Sequence, residues 1–148
     1  MDLSSKLVGT VVKRNQRSLD QLLAKIFFYH SLFNEIANKL SDLRAFLLSS
    51  HRTAVLRRDE DTQATILNLL LRNYLHYNLY DQAAKLAAKA SFPENASNNQ
   101  LARYYYYLGR IKAIQLDYTD SHTHLLQAIR KAPQNAVTAG FQQAVRKL

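Results

Sequence analysis

Leu19, Leu22, Leu23, Ile26, Phe27, His30 and Phe33 recur at the i, i+3, i+4 spacing of one helix face. Ser18 stands where a cap would open that helix. Ile36, Leu40, Leu43, Phe46 and Leu47 carry the rhythm into a second helix, from about Asn34, a candidate cap, to Ser50. The pattern resumes after Asp59-Glu60-Asp61, with Ile66, Leu67, Leu70, Leu71, Tyr74 and Leu75 on one face. Its partner runs from about Tyr80 to Ala90 and stops at Phe92-Pro93. A polar loop, Asn95 to Asn99, leads to helices over Gln100–Leu116 and Thr119–Lys131, the latter ended by Pro133. Val137, Phe141 and Val145 mark a last helix over 136–148. The spacing thus predicts hairpins at about 19–50, 59–91 and 100–132 within a helical domain over 18–148, behind a poorly patterned leader, 1–17.

Two of these hairpins share their wording. Leu70-Leu71-Arg72 returns 38 residues later as Leu108-Gly109-Arg110, Tyr80-Asp81-Gln82-Ala83 as Tyr118-Thr119-Asp120-Ser121, and Ala90 as Ala128. A period in this range with two helical patterns per unit is the mark of a helical solenoid, in which each unit buries its apolar face against the next. With Pro133 at the closing proline of the tetratricopeptide motif, Leu108-Gly109 falls on its Leu-Gly pair. Ser121 then takes the small-residue position, Leu125 the bulky one and Ala128 the second alanine. Small residues at a crossing let two backbones approach while a large neighbour fills the groove. Lys112 stands where an aromatic is usual and Leu71 replaces Gly109 in the earlier unit, so the match is to a degenerate repeat. The expected fold is all-α: a tetratricopeptide-like, right-handed helical-repeat solenoid.

Composition agrees with long helices on short connections. The 148 residues include 3 Gly, 2 Pro and 47% hydrophobic residues, which argues against an all-β chain. The net charge is +9, of which +6 falls through Arg58 and +3 beyond it, so no single dense patch forms. Such a balance suits nucleic acid, an acidic protein partner, or simply a solvated helical surface. The absence of cysteine removes disulfides, thiolate zinc sites and cysteine nucleophiles. Leu22–Phe33, interrupted by Lys25 and His30, is too short to span a bilayer. Met1–Lys13 lacks the apolar core of a signal peptide, although its basic, acid-poor character is shared with mitochondrial presequences. A soluble intracellular protein is expected, with no membrane contact.

Candidate chemistry is sparse. His122 and His124 lie two apart and diverge around a helix, and His30, His51 and His76 stand singly. Asp59, Glu60 and Asp61 suit the positive end of a helix better than a metal or an acid–base pair. No glycine-rich phosphate loop and no nucleophile elbow occurs. No cofactor, metal, small-molecule substrate or catalytic residue is expected.

Tyr104 to Tyr107 spread around most of a helix circumference, so they cannot share one core. In the repeat register Tyr105 and Leu108 pack between helices, while Tyr106 falls with Arg103 and Arg110 on the face lining the concave groove. Asn68 and Arg72 hold that position in the earlier unit. Asn68, Arg72, Arg103, Tyr106 and Arg110 are therefore the candidate partner-binding residues. The alternative is packing against the following helix. Single-stranded RNA is a second candidate ligand for Arg beside Tyr. It ranks lower because the aromatics do not recur in every unit.

The strings Leu67-Asn68-Leu69-Leu70-Leu71-Arg72-Asn73-Tyr74-Leu75-His76-Tyr77, Tyr80-Asp81-Gln82-Ala83, Ala102-Arg103-Tyr104, Gly109-Arg110-Ile111-Lys112-Ala113-Ile114-Gln115-Leu116 and Arg130-Lys131-Ala132-Pro133 have a further meaning. From about Arg17 onward the chain resembles the PCI-domain family of non-ATPase subunits in the 26S proteasome regulatory-particle lid. The resemblance implies a scaffold without an active site, whose partners are other lid subunits. It also implies a role in ubiquitin-dependent degradation and residence in cytoplasm and nucleus. In that family helical repeats lead into a winged-helix half, and this chain ends ahead of one. Related PCI assemblies, the signalosome or a translation-initiation complex, are the alternative, followed by an RNA-binding helical repeat.

Overall fold

A computed structural model describes residues 20–132 apart from Asn38, together with Lys6, Gly9 and Thr10. The expected leader, the Ser18 cap and the final helix over 136–148 lie outside the described residues. Among those described there are six long helices and no strand. They are α1 (Asp20–Ile36), α2 (Leu40–Arg57), α3 (Glu60–His76), α4 (Tyr80–Lys89), α5 (Asn98–Ile114) and α6 (Tyr118–Lys131). The fold is an all-α helical repeat.

Three helix ends show how so few glycines suffice. Arg58 after α2, Asn78 after α3 and Leu116 after α5 all adopt the left-handed conformation, at φ 55°, 56° and 63°. Each end carries the same pair of backbone bonds. The next residue donates five positions back (Asp59 to Ala54, Leu79 to Tyr74, Asp117 to Lys112), and the left-handed residue itself donates three back. This is the Schellman closure, which satisfies the last carbonyls of a helix and is usually made by glycine. Asn78 and Leu116 are 38 residues apart, so the turn recurs with the repeat.

The chain forms two compact units. The first holds α1, α2, α3 through Asn73, and Phe92–Asn95. Leu23 and Phe27 of α1 and Leu40, Leu43, Leu47 and Ala54 of α2 are buried in it, with Phe27 and Phe46 rings 5.9 Å apart. Side chains tie these three helices together. Arg57 pairs with Asp20 at 3.5 Å and Arg72 with Glu35 at 2.9 Å. Buried Asn73 donates from Nδ2 to the Leu40 carbonyl (2.8 Å) and accepts at Oδ1 from Arg44 Nε (3.0 Å).

Helix bounds differ from the periodicity in this unit. Asn34 does not cap α2. It lies inside α1, where its Nδ2 donates to the His30 carbonyl one turn back at 2.8 Å. Helix α2 continues past Ser50 to Arg57 because Ala54 extends its buried face and the Arg58 closure comes only there. The buried stripe of α1 is narrower than expected: Leu23, Phe27, His30 and Ser31 face inward, whereas Leu22, Phe33 and Ile36 are exposed. Leu22 and Phe33 sit about 80–100° around the helix from Leu23, beyond the width of the contact.

Helix α3 is buried around nearly its whole circumference, from Thr62 through Leu75, with Arg72 the exposed exception in that run. Asp59 begins it: its Oδ1 accepts the Thr62 N–H at 3.0 Å. The three acids thus supply a cap and first-turn charge.

The second unit holds the end of α3, α4, the segment from Ala96, α5 and α6. Helices α5 and α6 form a hairpin over a close crossing. The Ser121 hydroxyl donates to the Gly109 carbonyl at 2.8 Å, and both residues are buried. A Cβ added to Gly109 would lie 2.7 Å from Leu125 Cγ and Cδ2, so only glycine fits against that leucine. Ala102, Ile111 and Ala128 complete the buried seam. The glycine, small and bulky positions of the repeat, at Gly109, Ser121 and Leu125, therefore hold the contacts their register requires.

Candidate partner-binding site

The α5–α6 turn fixes one edge of the candidate surface. The Asp117 carboxylate accepts the Asp120 N–H at 3.3 Å and caps α6. Lys112, in the position where an aromatic is usual, reaches Asp117 and Asp120, each at 3.5 Å. The Asp120 N–H first, and the Lys112 ammonium after it, hold the Asp117 carboxyl below its ordinary value against a smaller opposing effect of burial. A cation on the turn here replaces apolar packing.

The four tyrosines divide by direction, as helical spacing requires. Tyr105 turns toward α6 and stacks on His124, centroids 6.1 Å apart and planes within 16°. Tyr104 lies partly buried beside it, and burial together with Tyr105 raises its phenol above the ordinary value. Tyr106 lies against Tyr107 at 5.6 Å, with the Arg110 guanidinium 5.9 Å from its ring centroid. That distance suits a cation–π contact. Arg103 is exposed one turn before Tyr106. Arg103, Tyr106 and Arg110 thus share one face of α5, at i, i+3 and i+7.

The other two candidates belong to the first unit. Asn68 is only 4% exposed, so it is an interior residue and not a contact offered to solvent. The groove-facing position of the register is covered at Asn68. Arg72 is exposed but already engaged by Glu35 of α1.

Among the described residues no group of three or more His, Asp or Glu could hold a metal ion. His30 is buried against Phe46, His76 meets Tyr77 edge to face, and His122 is exposed. A cavity of about 70 Å³ lies between Leu23, Phe27, Thr53, Arg57, Asp59 and Thr62. That is room for water and not for a metabolite. No helix among the described residues is long and apolar enough to cross a membrane.

These contacts can be set beside known proteins. A family model described as "PSMD3-like, N-terminal TPR repeats" matches residues 1–148. The chain belongs to this family. Among curated proteins it is 56% identical over 147 residues to "Probable 26S proteasome non-ATPase regulatory subunit 3" of Anopheles stephensi, covering 99% of this chain and 28% of that protein. It is 57% identical over 145 residues to "26S proteasome non-ATPase regulatory subunit 3" of Dictyostelium discoideum, covering 98% and 29%. A Schizosaccharomyces pombe relative, "Probable 26S proteasome regulatory subunit rpn3", is 54% identical over 143 residues, covering 97% and 29%. The chain therefore spans less than a third of the length of the relatives it matches. The resemblance read from the repeat strings and the family match point to the same group of proteins.

Proposed function

We propose that the chain is the helical-repeat part of a structural subunit in the regulatory-particle lid of the 26S proteasome. It acts through contacts with other protein subunits and catalyses no reaction itself. The observation that carries this reading is 54–57% identity, across nearly the whole chain, to proteins named as regulatory subunits of that assembly. The name non-ATPase, borne by two of these relatives, supports a role outside ATP-driven unfolding. The site supports it too, because the described residues offer packing and a basic-aromatic face where an enzyme needs converging titratable groups. On this reading the Arg103–Tyr106–Arg110 face meets a neighbouring subunit, and the protein works in cytoplasm and nucleus.

Tagged chain purified from cells and examined by mass spectrometry tests the proposal. Lid subunits should co-purify, and Arg103→Glu with Arg110→Glu should weaken their recovery without lowering the melting temperature. Partners lost on nuclease treatment would instead mean RNA, with log affinity falling linearly with log salt. Recovery of signalosome or initiation-factor subunits in place of lid subunits would overturn the assignment.

A further inference from the structure

Asp59 carries one more oxygen than its place in the helix requires. An N-cap needs a single acceptor, and Oδ1 fills that role by taking the Thr62 N–H at 3.0 Å. Oδ2 has no hydrogen-bond partner among the described residues, although Asp59 is only 4% exposed. Burial strips such an oxygen of its hydration, and native structures nearly always supply a donor in return.

The same residue walls the cavity of about 70 Å³ between α1, α2 and the start of α3. The hydroxyls around that space offer lone pairs, because their protons are already given away. Ser49 donates to the Phe46 carbonyl at 2.8 Å, Thr53 to the Ser49 carbonyl at 3.2 Å, and Thr62 to the Asp20 carbonyl at 3.4 Å. A hydroxyl has one proton, so each of these oxygens is left as an acceptor. Ser50 and Arg57 also line the space, and neither bonds Oδ2. A space walled by acceptors takes a donor. A cation would meet the Arg57 guanidinium on the same wall, and like charges at that range repel. Water brings two protons and no charge, and the volume holds about two molecules at ~30 Å³ each.

We propose that this cavity is a structural water site. One ordered water donates to Asp59 Oδ2 and to a hydroxyl oxygen on α2, and so ties the start of α3 to the helix before it. The bridge lies at the corner where Arg57 of α2 pairs with Asp20 of α1, and it adds α3 to that junction. It also gives the cap its residue type: serine or threonine would serve the Thr62 N–H, but only a carboxylate serves both the helix and the water.

A crystal structure of the whole chain, at a resolution that shows solvent, tests the site directly. Density is expected about 2.8 Å from Oδ2. The inference is overturned by an Asp59 carboxyl swung out to bulk water, by a side chain of residues 1–19 bonded to Oδ2, or by a peak that comes and goes with sodium or potassium. Denaturant unfolding gives a second, independent reading. Ala54 is buried and lines the cavity, so Ala54→Leu should expel the water and leave Oδ2 without a donor. The unfolding equilibrium constant should rise by about tenfold. Asp59→Ser keeps a capping oxygen and removes Oδ2, and in that background Ala54→Leu should cost no more than about twofold. Steric crowding does not depend on Oδ2, so equal penalties in the two backgrounds would refute the site. Ala54→Val, the smaller change, makes the same comparison if leucine prevents folding.

Discussion

The Ser121 hydroxyl donates to the Gly109 carbonyl oxygen across 2.8 Å, in a crossing where both residues are buried. The bond joins α5 to α6 at the point where Leu125 occupies the space a Cβ on Gly109 would need. Gly109→Ala would gain helix propensity of up to about 1 kcal/mol. Overpacking at a contact this close costs about 1–3 kcal/mol, because Leu125 must leave its rotamer or the helices must part. Net destabilisation is expected in urea unfolding. Adding Leu125→Ala to Gly109→Ala should then cost less than the sum of the two single changes, since the cavity receives the new methyl.

That crossing was legible in the sequence because it rests on residue size at fixed offsets: a glycine, a serine and a leucine in motif register. Tyr105 against α6 was legible for the same reason. Asn68 was not. Its register position faces the groove in an ordinary repeat, but burial of α3 depends on what encloses it, and periodicity along one segment carries no such information. The outer face of α1 was misread by a related route. Leu22 and Phe33 obey i, i+3, i+4 spacing with the core residues, yet they sit a quarter turn away. A count of matches cannot separate one wide apolar face from two opposed ones. The Schellman ends were hidden because two of the three use Arg58 and Leu116, which no turn rule favours.

Asn73 joins α3 to α2 through two bonds, one to the Leu40 carbonyl at the start of α2 and one from Arg44 a turn further on. Replacing it with Ala leaves the Arg44 Nε without its acceptor and removes the donor to the Leu40 carbonyl, in a buried setting. The expected loss is about 2–3 kcal/mol in chemical denaturation. Arg44→Ala should cost less, because Asn73 keeps its donor bond to Leu40. An Asn73→Ala protein as stable as the parent would show that these bonds contribute nothing net.

Leu116 is left-handed, 70% exposed, and occupies the place where a helix usually ends on glycine. A non-glycine residue in that conformation is disfavoured by about 1–2 kcal/mol. Little packing is lost by trimming so exposed a side chain. Leu116→Gly should therefore raise stability, by about 0.5–1 kcal/mol after the greater freedom of glycine in the unfolded chain is subtracted. The same change at Asn78 should yield less, since asparagine already tolerates this conformation. Thermal melts of the two variants, compared with the parent, give the ordering.

His51 supplies a pH dependence whose sign is fixed by its surroundings. Burial in α2 lowers its pKa below the ordinary 6.5, because the folded chain disfavours the charged imidazole. The unfolded chain then takes up the proton first as pH falls. The folded state binds fewer protons than the unfolded one through that window, so its stability declines as pH drops below 6.5 and levels off beneath the lowered folded value. His51→Gln cannot titrate and should remove this part of the slope. Denaturant midpoints between pH 7.5 and 5, set against those of a His122→Gln control on the exposed side of α6, would isolate it. Parallel curves for parent and His51→Gln across that range would refute the assignment of the acid-side loss to this residue.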